Sequence, residues 1–174
     1  MICKMKIIDF LNKDFTFNKS SNKLSQLEKE LLISHTLKIS REEVLTHPEQ
    51  QLSDSQIRSI DKFIERRLNF EPIAYILGYK EFYGLKFEVN SSTLIPRPET
   101  ENLVEEALKY IKNSNSDTIR ILEVGTGTGC IPISILNALE REKLNKIINI
   151  IAIDISKEAL KVAKRNADNL LNSQ

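Results

Sequence analysis

The 174-residue chain is 41% hydrophobic and 28% charged, which is typical of a soluble globular protein with one domain or two small ones. Its 25 Lys and Arg residues nearly balance its 24 Asp and Glu residues, so bulk charge does not predict direct nucleic-acid binding. No apolar run approaches the roughly 18 residues of a membrane span. Lys and Asp interrupt the apolar residues at the N-terminus, whereas a signal peptide has a continuous apolar segment there. We therefore expect a cytoplasmic protein that is monomeric and makes no membrane contact.

Cysteine and histidine are too few and too scattered to indicate a metal centre. Cys3 and Cys130 are far apart in the sequence, so we expect two reduced thiols and no metal site. His35 and His47 have no neighbouring Cys, Asp or Ser arrangement that would indicate a catalytic triad. We expect both histidines to be structural or exposed.

Residues 1–70 have the pattern of a helical bundle. Two capping boxes, Ser40 to Glu43 and Ser53 to Gln56, predict helix starts on either side of a His47-Pro48 loop. Apolar residues recur at helical spacing in two groups: Leu24, Leu27, Leu31 and Leu32, then Ile57, Ile60, Ile64 and Leu68. This region is either a structural bundle or a surface that recognises a protein partner.

Residues 71–98 lack the helical spacing of the preceding region, and their pattern predicts a β-hairpin linker. Apolar residues alternate around Tyr83-Gly84, where we expect the hairpin to turn. Pro98 suits the first turn of a following helix. From there, residues 99–174 are expected to form a separate α/β domain.

The α/β domain begins with a strand at Ile119 to Val124, a glycine loop and a helix over Ile131 to Leu139. A second strand at Ile147 to Ile153 has almost no polar interruption, and Ser156 can cap a further helix. This order predicts the first part of a Rossmann-like sheet. Because only two strands are present, we expect five isoleucines of the second strand to lack packing partners on at least one side: Ile147, Ile148, Ile150, Ile151 and Ile153.

The loop at Gly125, Gly127 and Gly129 brings bare backbone close to a ligand at the carboxyl edge of the sheet. A dinucleotide loop asks for G-x-G-x-x-G, whereas here the third glycine comes one residue early. Glu123 precedes the loop, and Asp154 comes at the end of the second strand. A carboxylate at the Asp154 position can accept hydrogen bonds from both ribose hydroxyls. This combination suits S-adenosylmethionine, which has no pyrophosphate to place on a helix N-terminus. A tight turn without a ligand is the alternative.

Three segments make the chain similar to the peptide chain release factor glutamine methyltransferases: EPIAYILGYKEFYGLKFEVNSSTLIPRPETE, LEVGTGTGCI and AIDISKEALKVAKRNA. The resemblance covers nearly the whole chain and corresponds to the N-terminal part of such an enzyme. It implies that residues 1–70 recognise the substrate and that the enzyme methylates the glutamine amide of a release factor's Gly-Gly-Gln motif.

The resemblance also implies roles for individual residues. The cofactor-binding set that it implies is Glu123, Gly125, Thr126, Gly127, Thr128, Gly129 and Asp154. Arg97 and Glu99 match the family's linker signature near the active-site edge. Pro98 favours the release-factor branch over a sister family that methylates a ribosomal protein.

One family motif, Asn-Pro-Pro-Tyr, does not occur in this sequence. In the family this motif holds the substrate amide, so no residue of this chain is assigned a catalytic role, and we expect the chain alone to be inactive. Two alternatives stay open: a fragment of a nucleic-acid amino-methyltransferase, and a non-enzymatic module that binds release factors.

Overall fold

The computed structural model describes residues 5–17, 23–144 and 146–171, and it divides into two compact units. One unit ends at Leu77 and the other begins at Gly78. The predicted linker, residues 71–98, therefore divides between the units: a short helix belongs to the first, and the hairpin belongs to the second. Cys3, expected to be a reduced thiol, lies outside the described residues. No helix within the described ranges has both the length and the apolar character to cross a membrane.

The first unit is helical, as predicted. Its helices are α1 (Ile7–Asn12), α2 (Gln26–Leu37), α3 (Arg41–Thr46), α4 (Asp54–Leu68) and α5 (Ile73–Leu77). Both predicted capping boxes are confirmed at α3 and α4, where the Ser40 and Ser53 side chains accept hydrogen bonds from backbone N–H groups. His47 follows α3 and is exposed, and half-buried His35 packs against the Phe63 ring.

The start of α2 differs from the sequence interpretation. Leu24 fits the spacing of the apolar helix face, but it precedes the helix and is buried in the same core as Leu32. Ser25 is the N-cap, and it forms a capping box with Glu28 that sequence reasoning missed. Leu27, which was grouped on the same face, is exposed.

The core of the first unit is closed by side chains from all five helices and their connections. Its members include Ile7, Phe10, Leu32, Val44, Ile60, Ile64 and Ile76. Lys29 is buried among them, and its ammonium group donates to the carbonyls of Leu11 and Lys13 at the end of α1. The buried charge is therefore satisfied by backbone oxygens that the helix end leaves unpaired.

The second unit begins with the predicted hairpin. Strands β1 (Tyr79–Phe82) and β2 (Leu85–Glu88) pair antiparallel, with Phe82 opposite Leu85. The two turn residues, Tyr83 and Gly84, have φ values of 50° and 71°. Positive φ at both positions is the geometry of a two-residue turn that matches strand twist. The hairpin at Tyr83-Gly84 is confirmed.

The remaining elements alternate between helix and strand. They are a 3-10 helix (Pro98–Thr100), α6 (Glu101–Asn113), β3 (Thr118–Val124), α7 (Cys130–Arg141), β4 (Ile147–Ile153) and α8 (Lys157–Leu171). The α/β order predicted from the sequence is confirmed, and β3 and β4 pair in parallel with Leu122 opposite Ile151. Ser156 accepts a hydrogen bond from Ala159 N and caps α8, as predicted.

The two faces of the β3–β4 pair differ. Ile119, Ile121, Ile148 and Ile150 lie on the face that packs into the core with α6 and α7. The opposite face is exposed, and its large apolar side chains are Leu122, Val124, Ile147, Ile151 and Ile153. Three of the five isoleucines expected to lack partners are therefore exposed, whereas Ile148 and Ile150 pack against the core.

Candidate functional site

The glycine loop joins the carboxyl end of β3 to α7, and each of its glycines has positive φ. The values are 80° at Gly125, 56° at Gly127 and 77° at Gly129. A Cβ atom at Gly125 or Gly127 would meet no atom within 4 Å, whereas one at Gly129 would lie 3.0 Å from Ile133 Cδ1. The first two glycines therefore border open space, and the third allows close packing between the loop, α7 and Ala163 of α8.

Backbone hydrogen bonds fix the loop, which continues from β3, to the end of β4. The N–H groups of Gly125 and Thr126 donate to the carbonyl of Ile153, at 2.8 and 3.0 Å. Gly129 donates to the Thr126 carbonyl and is the N-cap residue of α7. The loop is thus built at the carboxyl edge where β3 and β4 end together, the edge at which open α/β sheets bind ligands.

Asp154 follows β4 directly and connects its strand end to the loop. Its Oδ2 accepts a hydrogen bond from Gly127 N at 2.9 Å, and its Oδ1 accepts one from Ser156 N at 2.9 Å. These N–H groups, of Ser156 first and Gly127 next, hold the pKa of Asp154 below its ordinary value. Each carboxylate oxygen has a further lone pair, so an ionised Asp154 can still accept hydrogen bonds from ligand hydroxyls.

Glu123 lies one residue before the end of β3 and is half-buried. Burial raises the pKa of its carboxyl, and the nearby Asp154 charge adds to the rise, while a hydrogen bond from the Thr126 hydroxyl opposes it. Two carboxylates at one strand edge favour a ligand that carries positive charge and hydroxyl groups.

The two threonines of the loop are buried and face inward. Thr126 donates its hydroxyl to Glu123, and Thr128 is 2% exposed with its carbonyl bonded to a side chain of α8. Their side chains support the loop from within.

Arg97 and Glu99, expected near an active-site edge, lie at the 3-10 helix before α6. Both side chains are exposed, and neither forms a hydrogen bond or ion pair with the loop residues that the structure describes. The structure therefore brings Glu123, Asp154 and the glycine loop together, and the place of Arg97 and Glu99 near an active-site edge stays a prediction.

Sequence reasoning missed one side chain beside the loop, Asn166 of α8. It is 2% exposed, and its amide bonds to Glu88 of β2 and to the carbonyl of Thr128. The partner on β2 is 78 residues away in the chain, so no local pattern could indicate this contact. Across the described ranges, His, Cys, Asp and Glu form no cluster that could hold a metal ion.

Both regions of the chain are similar to known protein families. The PrmC N-terminal domain family matches residues 16–78, and a methyltransferase domain family matches residues 115–173. A release factor glutamine methyltransferase of Coxiella burnetii is 44% identical over 84% of the chain and 50% of its own length. The corresponding protein of Buchnera aphidicola is 38% identical over 94% of the chain and 56% of its own length.

A bifunctional methyltransferase of Rickettsia prowazekii is also similar, at 40% identity over 90% of the chain and 32% of its own length. The chain thus spans between about a third and somewhat over half of these curated relatives. The similarity includes both the helical unit and the glycine loop.

Proposed function

We propose, from its homology at about 40% identity to proteins named release factor glutamine methyltransferases, that this chain contributes to methylation of peptide chain release factors. The acceptor in this proposal is the side-chain amide of the glutamine in the Gly-Gly-Gln motif. The methyl donor is S-adenosylmethionine, bound by the second unit. The first unit recognises the release factor.

The observation that carries the proposal is the glycine loop between two carboxylates at the carboxyl ends of β3 and β4. Gly125 and Gly127 border open space, so a ligand can approach the backbone there without meeting a side chain. Two backbone N–H groups favour the ionised form of Asp154, which can then accept hydrogen bonds from ribose hydroxyls. Glu123 and Asp154 together provide negative charge for a cationic amino acid moiety.

S-adenosylmethionine supplies a methyl group activated by the positive sulfonium. An amide nitrogen is a poor nucleophile, so its methylation depends on orientation and on exclusion of water. The residues described here would hold the donor and fix the loop. The Asn-Pro-Pro-Tyr sequence associated with holding the amide is absent from this chain, so we propose that the 174 residues alone do not turn over.

The proposed cofactor site is tested by calorimetric titration of the 174-residue chain with S-adenosylmethionine. Asp154→Ala should weaken binding by about 1.5–3 kcal/mol, because charge-assisted hydrogen bonds to the ribose are lost. Gly127→Val should weaken it further, since its side chain fills the open space and its φ of 56° disfavours any side chain.

Asp168→Ala is the matched control, because Asp168 is an exposed aspartate of α8 away from the loop. It should leave the affinity unchanged. Equal affinity in the wild-type, Asp154→Ala and Gly127→Val chains would exclude this pocket. A chain extended past an Asn-Pro-Pro-Tyr motif, assayed for transfer of labelled methyl to a release factor, tests the reaction itself.

A further inference from the structure

Asn166 connects two parts of the second unit that are separate in the chain. Its Oδ1 accepts a hydrogen bond from Glu88 N at 2.8 Å, and its Nδ2 donates to Glu88 O at 3.1 Å. The same Nδ2 donates to Thr128 O at 2.9 Å. The amide thus pairs with the end of β2 as a neighbouring strand would, and it reaches the glycine loop at the same time.

The bonding leaves Asn166 no alternative orientation. Both N–H donors of its amide are used by carbonyls, and its oxygen faces a backbone N–H donor. Reversing the amide would place a donor against Glu88 N–H and an acceptor against two carbonyls. Because the side chain is 2% exposed, water cannot replace these partners without opening the structure.

Arg165, the preceding residue, contacts the same position on β2 from outside. Its guanidinium binds the Glu88 carboxylate through Nε and Nη2, with distances of 2.9 and 2.7 Å. This ion pair is half-exposed, so it contributes little by itself. The ion pair does, however, join the Glu88 side chain to α8, next to the backbone groups of Glu88 that bond to the Asn166 amide.

We propose that Asn166 is a positioning residue that couples the glycine loop to the β1–β2 hairpin, so that ligand occupancy of the loop is transmitted to the hairpin. The functional consequence rests on the proposed cofactor site, whereas the coupling itself does not. A ligand that orders the loop must, by reciprocity of coupled sites, also slow local opening at the end of β2.

The first test is on the wild-type chain and requires no ligand. Hydrogen exchange of side-chain amides, followed by NMR, compares Asn166 with Asn113, an exposed asparagine at the end of α6. The Nδ2 protons of Asn166 should exchange more slowly, on the order of tenfold or more, because both are bonded inside the protein. Equal exchange at the two asparagines would overturn the proposal.

The second test is N166D, which keeps the size of the side chain and its acceptor for Glu88 N but removes both donors. Two carbonyls then face a carboxylate oxygen. We expect backbone exchange to rise on the order of tenfold at Gly127 and Gly129 in the loop, and also at Val89 after β2. N113D, the matched control at an exposed asparagine, should change neither region. A rise confined to one of the two regions would overturn the coupling.

The third test adds S-adenosylhomocysteine, which carries no methyl to transfer. In the wild-type chain it should slow exchange at Val89, and N166D should lose this effect while still binding the ligand. Persistent slowing at Val89 in N166D would contradict the proposal. Failure of the wild-type chain to bind the ligand would count against the proposed cofactor site, and the two ligand-free tests would still decide the coupling.

Discussion

The two units differ in how completely they bury their large apolar side chains. The helical unit closes its core within itself, so Leu32 of α2 and Ile60 of α4 are both fully buried. In the second unit, one face of the β3–β4 pair packs against helices, and the other leaves Leu122 and Ile151 each 64% exposed. The two strands thus pair in parallel, while the large apolar side chains on one face stay exposed in the part of the chain that the structure describes.

In the second unit, the strands pair although many of their side chains are not buried. Hydrogen bonding pairs β3 with β4 along seven positions, from Thr118 and Ile147 to Val124 and Ile153. Burial requires a second layer on each face, and parallel strands are normally covered on both. Each large aliphatic side chain left exposed forgoes about 1.5–3 kcal/mol relative to full burial. We therefore expect the helical unit to be more stable by itself than the second unit.

Truncating the closed core should give the largest effect. Leu32→Ala leaves a cavity at a position with no exposure, so we expect the unfolding free energy of the helical unit to fall by about 2–5 kcal/mol. Chemical denaturation followed by circular dichroism measures this loss. Leu27→Ala is the matched control, since Leu27 lies on the same helix and is exposed. A similar loss for both variants would remove the contrast between closed and open regions.

Changes on the open sheet face should affect association more than stability. Leu122 and Ile151 are cross-strand partners there, and replacing both with Thr keeps good strand formers while removing apolar surface. We expect less self-association, measured by sedimentation, and a change in unfolding free energy below about 1 kcal/mol. A loss of several kcal/mol would mean that this face is covered in solution.

The smallest expected effect on stability comes from a hydrogen bond between the hairpin and α6. The Tyr83 hydroxyl donates to Glu105 at 2.5 Å, and this hydrogen bond raises the pKa of Tyr83 to about 12. Because the folded pKa exceeds the ordinary value of 10.0, this contribution to stability is present below pH 10. It is lost as the pH rises through about 12.

The pKa of Tyr83 can be followed by the carbon chemical shift of its phenol ring as the pH is raised. Glu105→Gln should lower the titration midpoint, since a neutral amide is a weaker acceptor than a carboxylate. Glu106→Gln, at an exposed neighbour paired with Lys109, should lower it much less. Equal midpoints in the wild-type and Glu105→Gln chains would exclude this hydrogen bond.

The sequence predicted those features that depend on neighbouring residues. The capping boxes at Ser40 and Ser53 are local, because the cap and its partner lie three residues apart. The turn at Tyr83-Gly84 and the strand Ile147–Ile153, which is apolar except for Asn149, are likewise predicted by short patterns. The glycine loop followed from the same logic, because a strand, glycines and a helix come in direct succession.

The features that the sequence did not predict depend on distant partners. Helices α1 and α5 have only six and five residues, too short for an apolar period to repeat. Leu24 fits a helical spacing but is buried before the helix begins, because Ser25 caps α2. The bond between Gly127 N and Asp154 spans 27 residues, and the role of each carboxylate toward a ligand stays a prediction.

The distance along the chain between β2 and Asn166 also matters during synthesis. Asn166 follows Glu88 by 78 residues, so a ribosome adding about 5–20 residues per second makes it roughly 4–16 s later. An isolated two-stranded hairpin is marginally stable in water. The nascent hairpin therefore lacks its buried amide partner through several seconds of translation, until α8 is made.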